Sequence, residues 1–515
     1  MAAFVANAVM AGGLLTNTNQ HVAFNRMMSR EASIGIDGVY YNPAGVAFLS
    51  KGHHLAINWQ LAYQDRTIQN DYPLFTNNVN NPTTPREFKG KAFAPVIPSF
   101  QYSYNTGKWS FQSGFALVGG GGKCTFDNGL GSFEKIVSET AMGACSLASG
   151  IDQVGYAVGQ KMGIGIPQNV FSSDNMFGSK GSYSYDSYMH GRQYYYGLSV
   201  GAAYKASDNF SVFAGVRGVY ASCNYYGYVR DIKVGAMPLY QVLDPTKEDA
   251  ANIELSCDQS GIGFTPIIGV DFKTGRWNFS AKYEFKTRMR LKNKSVNQAP
   301  SIGNLADNLR TAYTERLGLP SQVADAILGN ENVVGAMSQL KEQFDTKLGS
   351  AIGEYADGKK IAADIPAYLA VGVGYKPVDA LRVNVGFHWF DDKNATSYDN
   401  RNKTLKRGTL EYNAGVEYDI TKKITLSTGW QNTNYGLSDE YMDDKSFVVG
   451  SNSVAFGGVY HINKKMHLNV AYFHTFYQHK KTSEAVALSA DKTINYNSDY
   501  TRNNNVFAVG IDFDI

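Results

Sequence analysis

The sequence predicts an all-β membrane protein, a transmembrane barrel of about 14 antiparallel strands. Apolar and polar residues alternate with a period of two from Gly52 onward, and short turns flanked by aromatic residues recur. No run of about 18 apolar residues, the length of a membrane-spanning helix, is present. The mean hydropathy of -0.28 agrees, because alternating barrel strands produce no hydropathy peak.

Residues 1–11, MAAFVANAVMA, predict the end of a secretory signal peptide. The apolar stretch closes with Val9 and Ala11, which would stand at the usual small-residue positions before cleavage at Gly12. The charged segment that opens such a signal is missing, so a buried N-terminal helix is the alternative interpretation.

Turns of one form mark one end of the predicted strands. Each has an aromatic residue, then a few polar residues, then an alternating strand, which is typical of the periplasmic hairpins of outer-membrane barrels. The longer polar segments between them are predicted to be extracellular loops. The turns are YNTGKWSF (104–111), YKASDNFSVF (204–213), FKTGRWNF (272–279), YKPVDALRV (375–383), YDITKKITL (418–426) and YHINKKMHL (460–468).

The alternation predicts a lipid face and a lumen face on each strand. Trp277 and Phe279 share one face, whereas Asn278 and Ser280 share the other. A soluble β-sandwich is the alternative, but it would need a second sheet to bury so many aromatic faces. The predicted strands cover residues 52–64, 91–104, 109–119, 194–205, 210–224, 261–273, 277–290, 366–376, 381–391, 407–419, 423–435, 451–461, 465–477 and 504–515.

The last predicted strand alternates Phe507, Val509 and Phe513 with polar residues such as Asp512. The barrel-assembly machinery recognises an alternating C-terminus with aromatic residues, so we expect this machinery and outer-membrane lipid as partners. The net charge of +3 and the absence of a long basic run exclude nucleic acid as an expected partner.

One outer loop, residues 302–364, breaks the β pattern. It is rich in Ala, Leu, Glu and Gln, with apolar residues at three- and four-residue spacing, which predicts amphipathic helices. Two interpretations stay open: a lid that covers the barrel mouth, or an apolar groove that first captures a hydrophobic ligand.

The four cysteines predict two disulfides within the outer loops. The strand map places Cys124 and Cys145 in one loop and Cys223 and Cys257 at the two ends of the next, so these are the expected pairs. Each bridge would close a loop of roughly 20 to 35 residues.

The N-terminal segment GLLTNTNQHVAFNRMMSREASIGIDGVYYNPAGVAFL, residues 13–49, resembles the hatch of the FadL/TodX family of outer-membrane transporters. The motif is Asn42, Pro43 and Ala44, which follows a small-residue and acidic run and precedes the first strand. The three residues alone are an ordinary turn. Their position before about 14 predicted strands makes the resemblance specific.

The resemblance implies a monomeric, plugged barrel in the outer membrane of a Gram-negative bacterium, with residues 12–50 as the hatch and residues 51–515 as the barrel. It implies a long-chain fatty acid or another hydrophobic compound as ligand, no cofactor or metal, and no enzymatic activity. Family members release ligand sideways at a kinked third strand. The glycines Gly119, Gly120, Gly121 and Gly122 are the candidates for this kink, with a flexible loop entrance as the alternative.

A fatty acid carboxylate needs a cation or hydrogen-bond donors in an apolar lumen. By strand alternation, Arg217 and Lys282 point inward near mid-barrel and are the candidates for this contact. The alternative is that these cations pair with Glu284 and with the hatch.

Three other functions remain as alternatives. A porin would lack the hatch, and an adhesin or structural barrel would be indifferent to apolar ligands. A hydrolase would need a nucleophile beside a histidine and an acid. The histidines His461, His467, His474 and His479 lie along one predicted hairpin, but their spacing matches no metal or catalytic signature.

Overall fold

The computed structural model describes residues 17–300, 305–316, 318–489 and 492–515. The predicted signal peptide, residues 1–11, and the start of the predicted hatch lie outside the described residues. Among the residues that are described, no helix has both the length and the apolar character needed to cross a membrane.

A closed antiparallel barrel forms the molecule, and the predicted fold class is confirmed. In the part of the chain that the structure describes, 14 strands make the wall, with β8 and β9 counted as one and β6, β10 and β17 as additions. The barrel closes where β1 pairs with β18, from His54 opposite Asp514 to Asp71 opposite Asn497. The strands are β1 Gly52–Asp71, β2 Arg86–Asn105, β3 Trp109–Phe126, β4 Tyr183–Lys205, β5 Phe210–Val234, β6 Met237–Pro238, β7 Ile253–Thr274, β8 Trp277–Glu284, β9 Arg290–Gln298, β10 Lys360–Ala362, β11 Tyr368–Val378, β12 Leu381–Phe390, β13 Thr409–Thr421, β14 Ile424–Asn434, β15 Ser451–His461, β16 Met466–Tyr477, β17 Lys480–Ser489 and β18 Lys492–Asp514.

Several wall strands extend further outward than predicted. Strands β4, β5 and β7 contain 23, 25 and 22 residues, whereas a membrane-spanning strand needs about 9–11 residues. Their outer halves therefore project beyond the membrane. The faces alternate as predicted, because Trp277 and Phe279 are exposed on the lipid side while Asn278 and Lys282 are buried on the lumen side.

The predicted strand 277–290 is not continuous. Its ladder with β7 stops at Ile267 and Glu284, next to Pro266, which has no N–H to donate. The Phe285 N–H donates to the Pro266 carbonyl at 3.0 Å, and the chain then leaves the ladder until β9 begins. The fully buried side chain of Met289 lies at this interruption, with its Sδ beside Gly263 of β7.

Helices occupy the hatch and two outer loops. The predicted helical insertion in residues 302–364 is present as α6, α7 and α8 within the described residues. A second helical insertion, α3 with α4, lies between β3 and β4 and was not predicted. The helices are α1 Val22–Met27, α2 Gly38–Tyr41, α3 Gly131–Met162, α4 Ser173–Phe177, α5 Tyr240–Leu243, α6 Leu305–Thr311, α7 Ser321–Leu328 and α8 Glu331–Ile352.

The long helix α3 packs on α7 and α8 and joins the two insertions into one helical roof. Its buried side includes Val137, Ala141, Cys145, Ala148 and Ile151, at the three- and four-residue spacing of one helix face. Most of these side chains are small, and Gly and Ser residues interrupt the helix, so the apolar periodicity is weak in the sequence.

Both predicted disulfides are absent, because all four cysteines are free and buried. In the β5–β7 ladder, Cys223 lies opposite Gln259 and Cys257 lies opposite Tyr225, so the two cysteines are diagonal neighbours. Diagonal residues are about 7–8 Å apart, beyond the usual reach of a disulfide. Cys124 lies in β3, whereas Cys145 lies in α3 with its Sγ 3.8 Å from the Ser179 carbonyl oxygen.

We expect alkylation of the unfolded, unreduced protein to modify all four cysteines, since the structure holds four free thiols. Mass spectrometry of the alkylated protein checks this, with a reduced sample as control. Modification only after reduction would contradict the strand register and restore the sequence-derived pairs.

Candidate functional site

Residues 17–50 lie inside the barrel, and we call them the hatch. Helix α1 packs against β1, β13, β14, β15, β16 and β18. Every residue of α1 is buried, including Asn25 and Arg26. Arg26 finds its partners in the wall, Glu417 and Ser427, whereas among the described residues neither polar atom of the Asn25 side chain has a hydrogen-bond partner.

Asn42 of the predicted hatch motif joins the hatch to the wall. Its side-chain amide donates to Asp271 Oδ2 of β7 at 2.5 Å, and its Oδ1 accepts the Gly45 N–H at 3.1 Å. Asn278 of β8 donates to the same Asp271 oxygen at 2.8 Å. A Cβ on Gly45 would overlap the Asn42 amide nitrogen, so this turn requires glycine.

The other two motif residues bond through their carbonyl groups. Gln112 of β3 donates to the Pro43 carbonyl at 2.7 Å, and Ser211 of β5 donates to the Ala44 carbonyl at 2.8 Å. The motif therefore contacts three wall strands, β3, β5 and β7.

Glu417 of β13 forms ion pairs with arginines of both the hatch and the wall. Arg26 pairs with its Oε1, Arg30 Nη1 lies 3.1 Å from its Oε2, and Arg382 of β12 lies 3.3 Å from the same oxygen. Arg30 also pairs with Asp37 at 2.7 Å within the hatch. Removing one partner of such a buried group leaves an uncompensated charge and costs about 3–5 kcal/mol.

A second link runs through His388 of β12. Its Nε2 lies 2.7 Å from Glu31 of the hatch, and its Nδ1 lies 2.8 Å from Glu411 of β13. Thr433 donates to the other oxygen of Glu411 at 2.7 Å. All three charged side chains are buried, so this histidine holds the hatch carboxylate to the wall.

The predicted carboxylate candidates, Arg217 and Lys282, lie side by side. Arg217 binds Glu284 through both its terminal nitrogens, at 2.5 and 3.0 Å. Lys282 lies 2.9 Å from Glu284, donates to the Tyr40 carbonyl at 2.6 Å and sits 3.9 Å above the Tyr40 ring. Both cations therefore have partners in the wall and the hatch, as the alternative interpretation expected.

A cavity of about 340 Å³ lies between the hatch and the outer loops, and we call it the chamber. Hatch residues form its floor and the outer halves of the strands form its sides. Its lining combines apolar side chains with hydrogen-bonding groups such as Gln431 and Asn504. The apolar lining includes Phe24, Met28, Phe126, Met189, Phe473 and Val506.

Two arginines, Arg66 and Arg502, line the chamber directly opposite each other on β1 and β18. Like charges opposite each other in a ladder are destabilising. Among the described residues neither forms an ion pair. Arg66 donates to Gln64 at 2.9 Å, and Arg502 lies over the Phe447 ring at 4.7 Å, with its Nε buried and unpaired.

The predicted strands end too early to include this pair. The first strand was predicted to stop at residue 64 and the last to begin at residue 504. In the structure β1 continues past Arg66, and β18 begins before Arg502. Extending the alternation by a few residues would have placed both guanidinium groups in the lumen.

The β2–β3 ladder is interrupted beside the chamber. Strands β2 and β3 pair from their periplasmic turn up to Ser99 and Ala116, and they pair again outward from Phe93 and Lys123. Residues 94–98 and 117–122, between these two ladders, do not pair with each other. A Cβ on Gly121 would meet no atom within 4 Å. We call this interruption the lateral gap.

The predicted kink residues, Gly119, Gly120, Gly121 and Gly122, lie at the lateral gap. The last three have φ values of 73°, 139° and 79°, which are strained for residues with side chains. The pairing of β3 with β4 shifts register on both sides of this run. Glycine therefore allows β3 to bend away from β2.

Two prolines on β2, Pro95 and Pro98, are a further signal in the sequence for this interruption. Proline has no N–H, so it cannot complete a ladder and is confined to edges and bulges. The Pro95 carbonyl accepts a bond from the Trp59 indole of β1 at 2.9 Å instead.

Asn17, the first described hatch residue, borders the lateral gap from inside. Its N–H donates to the Val118 carbonyl at 2.9 Å, and its side-chain amide donates to Leu117 at 3.2 Å and to Gly120 at 2.7 Å. The hatch therefore holds the bent backbone of β3 through otherwise unpaired carbonyl groups.

A loop between β14 and β15 joins the chamber to the helical roof. Asp444 accepts the Ser132 N–H at the start of α3 at 2.7 Å. Burial raises the pKa of Asp444 to about 7, and the neighbouring Asp443 carboxylate adds to the shift. Lys445 and Val448 of the same loop line the chamber.

The histidines considered as a possible catalytic cluster bond to one another and to the wall. His461 and His467 contact each other through their Nδ1 atoms at 2.8 Å, while His474 and His479 bond to side chains of β18. Within the described ranges, no group of three or more His, Cys, Asp or Glu residues is arranged to hold a metal ion.

We expect Gly45→Ala to loosen the hatch without preventing barrel assembly, because the added Cβ overlaps the Asn42 amide and costs about 1–3 kcal/mol. Ion conductance through the purified protein in planar bilayers should rise. Gly150→Ala is the matched control, since a Cβ there meets nothing within 4 Å. Equal conductance in both variants would contradict a sealing role for the motif.

Comparison with protein families gives one match. Residues 194–515, more than half of the chain, match the family model described as outer membrane protein transport protein (OMPP1/FadL/TodX). A comparison with curated protein sequences gave no match.

Solved structures share the fold at low sequence identity. The structure of a Pseudomonas aeruginosa FadL homologue is 15% identical with a TM-score of 0.57, covering 98% of this chain and 100% of that one. A TodX monoaromatic hydrocarbon channel mutant is 13% identical with a TM-score of 0.52, covering 96% and 98%. The Pseudomonas putida toluene transporter TodX is 13% identical with a TM-score of 0.50, covering 93% and 95%.

Proposed function

We propose a specific transport route for this chain, which belongs to the OMPP1/FadL/TodX family of outer membrane transport proteins. The family carries hydrophobic compounds across the outer membrane, and this barrel lies in that membrane. Here a long-chain fatty acid, or a similar amphiphile with an acidic head group, enters the chamber and leaves sideways through the lateral gap.

The observation that carries this proposal is the position of the chamber relative to its exits. Gly120, Gly121 and Gly122 line the chamber and also lie at the lateral gap, which supports an exit from the chamber toward the lipid side of the wall. The way down is blocked by the hatch, whose buried charges are paired with the wall. This arrangement favours a path for an apolar ligand into the bilayer over a path through the hatch.

Arg66 and Arg502 support an acidic ligand. An ion buried in an apolar pocket needs a countercharge, and two adjacent guanidinium groups without one match a carboxylate. TodX, by contrast, is a monoaromatic hydrocarbon channel, that is, a channel for uncharged ligands. The two unpaired arginines favour the fatty acid alternative for this chain.

The sequence-derived pair, Arg217 and Lys282, is a second proposal for the same contact. These cations would have to give up Glu284 to bind a ligand carboxylate, and their bonds to the hatch would then couple binding to hatch movement. The chamber arginines need no such exchange.

The alternative functions to hydrophobic transport are those of a porin and of an adhesin. A porin requires a polar path through the lumen, which the hatch occupies, and an adhesin gives no reason for an internal apolar chamber. In a porin or an adhesin the helical roof would only cover the chamber. In the transporter it would also admit ligand from outside.

We expect Arg66→Gln with Arg502→Gln to weaken binding of a long-chain fatty acid by about ten- to hundredfold, while binding of the matching alcohol changes little. A charge-assisted contact accounts for that difference. Tryptophan fluorescence or calorimetric titration of the purified protein measures both affinities.

The matched control is Arg66→Lys with Arg502→Lys, which keeps both positive charges and should keep most of the preference for the acid. A parallel Arg217→Ala, Lys282→Ala variant tests the second proposal. Equal losses for acid and alcohol in the glutamine variant would refute the head-group contact, and no binding of either ligand by the wild type would refute a long-chain amphiphile as the ligand.

A further inference from the structure

A row of basic side chains crosses the outside of the barrel next to the lateral gap. Lys123 of β3 lies directly opposite Arg192 of β4. Lys91 of β2 lies opposite Thr125, two residues along β3 from Lys123. We call Lys91, Lys123 and Arg192 the basic row.

The alternation of the strands places the basic row on the outer face. The neighbouring residues Ala92, Cys124 and Gln193 are buried and line the chamber. Side chains one position away on a strand point to the opposite face. Lys91 and Lys123 are accordingly exposed, and Arg192 is half-buried.

No member of the basic row is held in an ion pair across the described residues, and the Nε of Arg192 is buried without a partner. Asp65 of β1 lies directly opposite Lys91. Its Oδ1 accepts a hydrogen bond from the Tyr63 hydroxyl at 3.0 Å and does not pair with the lysine. Two like charges directly opposite each other cost free energy unless an anion joins them.

The basic row lies at the outer surface of the bilayer. Tyr194, Tyr196 and Tyr220 lie just below it on the lipid side of β4 and β5, at the positions where barrel aromatics mark the interface. The next outward-facing residue of β4 after Tyr194 is Arg192. Its guanidinium lies 5.5 Å from the centre of the Tyr194 ring.

An aromatic surface continues outward from the basic row. Tyr188 and His190 of β4 face Tyr226 and Tyr228 of β5, with the rings of Tyr188 and Tyr228 stacked at 5.9 Å. Tyrosine offers a flat apolar face together with a hydroxyl group. This combination matches a sugar ring, which also has an apolar face and hydroxyl groups at its edge.

We propose that the basic row binds an outer-leaflet glycolipid whose sugar head group carries phosphate. The phosphate accepts hydrogen bonds from Arg192 and the two lysines, the sugar packs on the adjoining tyrosines, and the acyl chains lie along the exposed Phe93. A phospholipid with a small head group would satisfy the charges but would leave the aromatic surface uncovered.

The bound lipid would also line the outer edge of the lateral gap. Phe93 and Lys123 are opposite each other at the first ladder position beyond the interruption. A lipid held there would fix the outer end of the opening and present acyl chains beside it.

Binding can be measured with lipid-free protein in detergent by native mass spectrometry. The probes are bisphosphorylated lipid A, the same lipid A after removal of its phosphates, and phosphatidylglycerol. We expect wild-type protein to bind bisphosphorylated lipid A at least about tenfold more tightly than either other lipid. The preference should weaken with added salt.

Lys91→Gln, Lys123→Gln and Arg192→Gln together should abolish this preference. The matched control removes three exposed lysines at periplasmic turns, Lys422, Lys423 and Lys464, by the same change to Gln and should keep it. Wild-type affinity in the basic-row variant would overturn the proposal. Equal binding of phosphatidylglycerol and lipid A by the wild type would also overturn it, because the surface would then recognise any anionic lipid.

Discussion

Glu417 and the guanidinium groups around it set the organisation of the lumen. Its two oxygens receive Arg26 and Arg30 from the hatch and Arg382 from the wall, all in a space that excludes most water. Neither the wall nor the hatch could bury these charges alone, since each would leave ions without partners. These ion pairs, together with apolar contacts such as those of Phe24 and Met28 with the wall, hold the hatch in the barrel, and its position fixes the floor of the chamber.

Pairing of charges distinguishes the two halves of the lumen. On the periplasmic side of the chamber the buried cations form ion pairs, as Arg217 and Lys282 do with the shared Glu284. Inside the chamber, Arg66 and Arg502 face each other, and among the described residues neither forms an ion pair. The Glu411 carboxylate, which also lines the chamber, pairs with His388 instead. The wall shows a related contrast, because the fully buried Met289 lies at the break between β8 and β9, whereas glycines border the lateral gap and a Cβ on Gly121 would meet no atom within 4 Å. The unpaired arginines and the interrupted β2–β3 ladder both border the chamber.

Period-two alternation and aromatic turns were enough to predict the barrel, because they report local geometry that every membrane strand must obey. The positions of Arg217 and Lys282 in the lumen followed from the same rule. Strand ends could not be predicted, because the strands continue beyond the membrane and no change in the alternation marks where the membrane ends. The chamber arginines lie in these outer halves of β1 and β18, so the predicted strands did not include them. The cysteine pairs failed because register between strands depends on bulges and ladder shifts that alternation does not encode. Helix α3 was missed because its buried face consists largely of small residues.

The lateral route is tested most directly by the place where a bound acyl chain contacts the wall. A fatty acid with a photoreactive group at its tail can be crosslinked to the protein in outer-membrane vesicles, and the labelled peptides sequenced by mass spectrometry. The account predicts labelling in residues 94–98 and 117–122, the two sides of the lateral gap, and competition by unlabelled fatty acid. Labelling confined to the periplasmic side of the hatch, around Val46 and Asn105, which are joined by a 2.7 Å hydrogen bond, would contradict it and favour passage through the lumen.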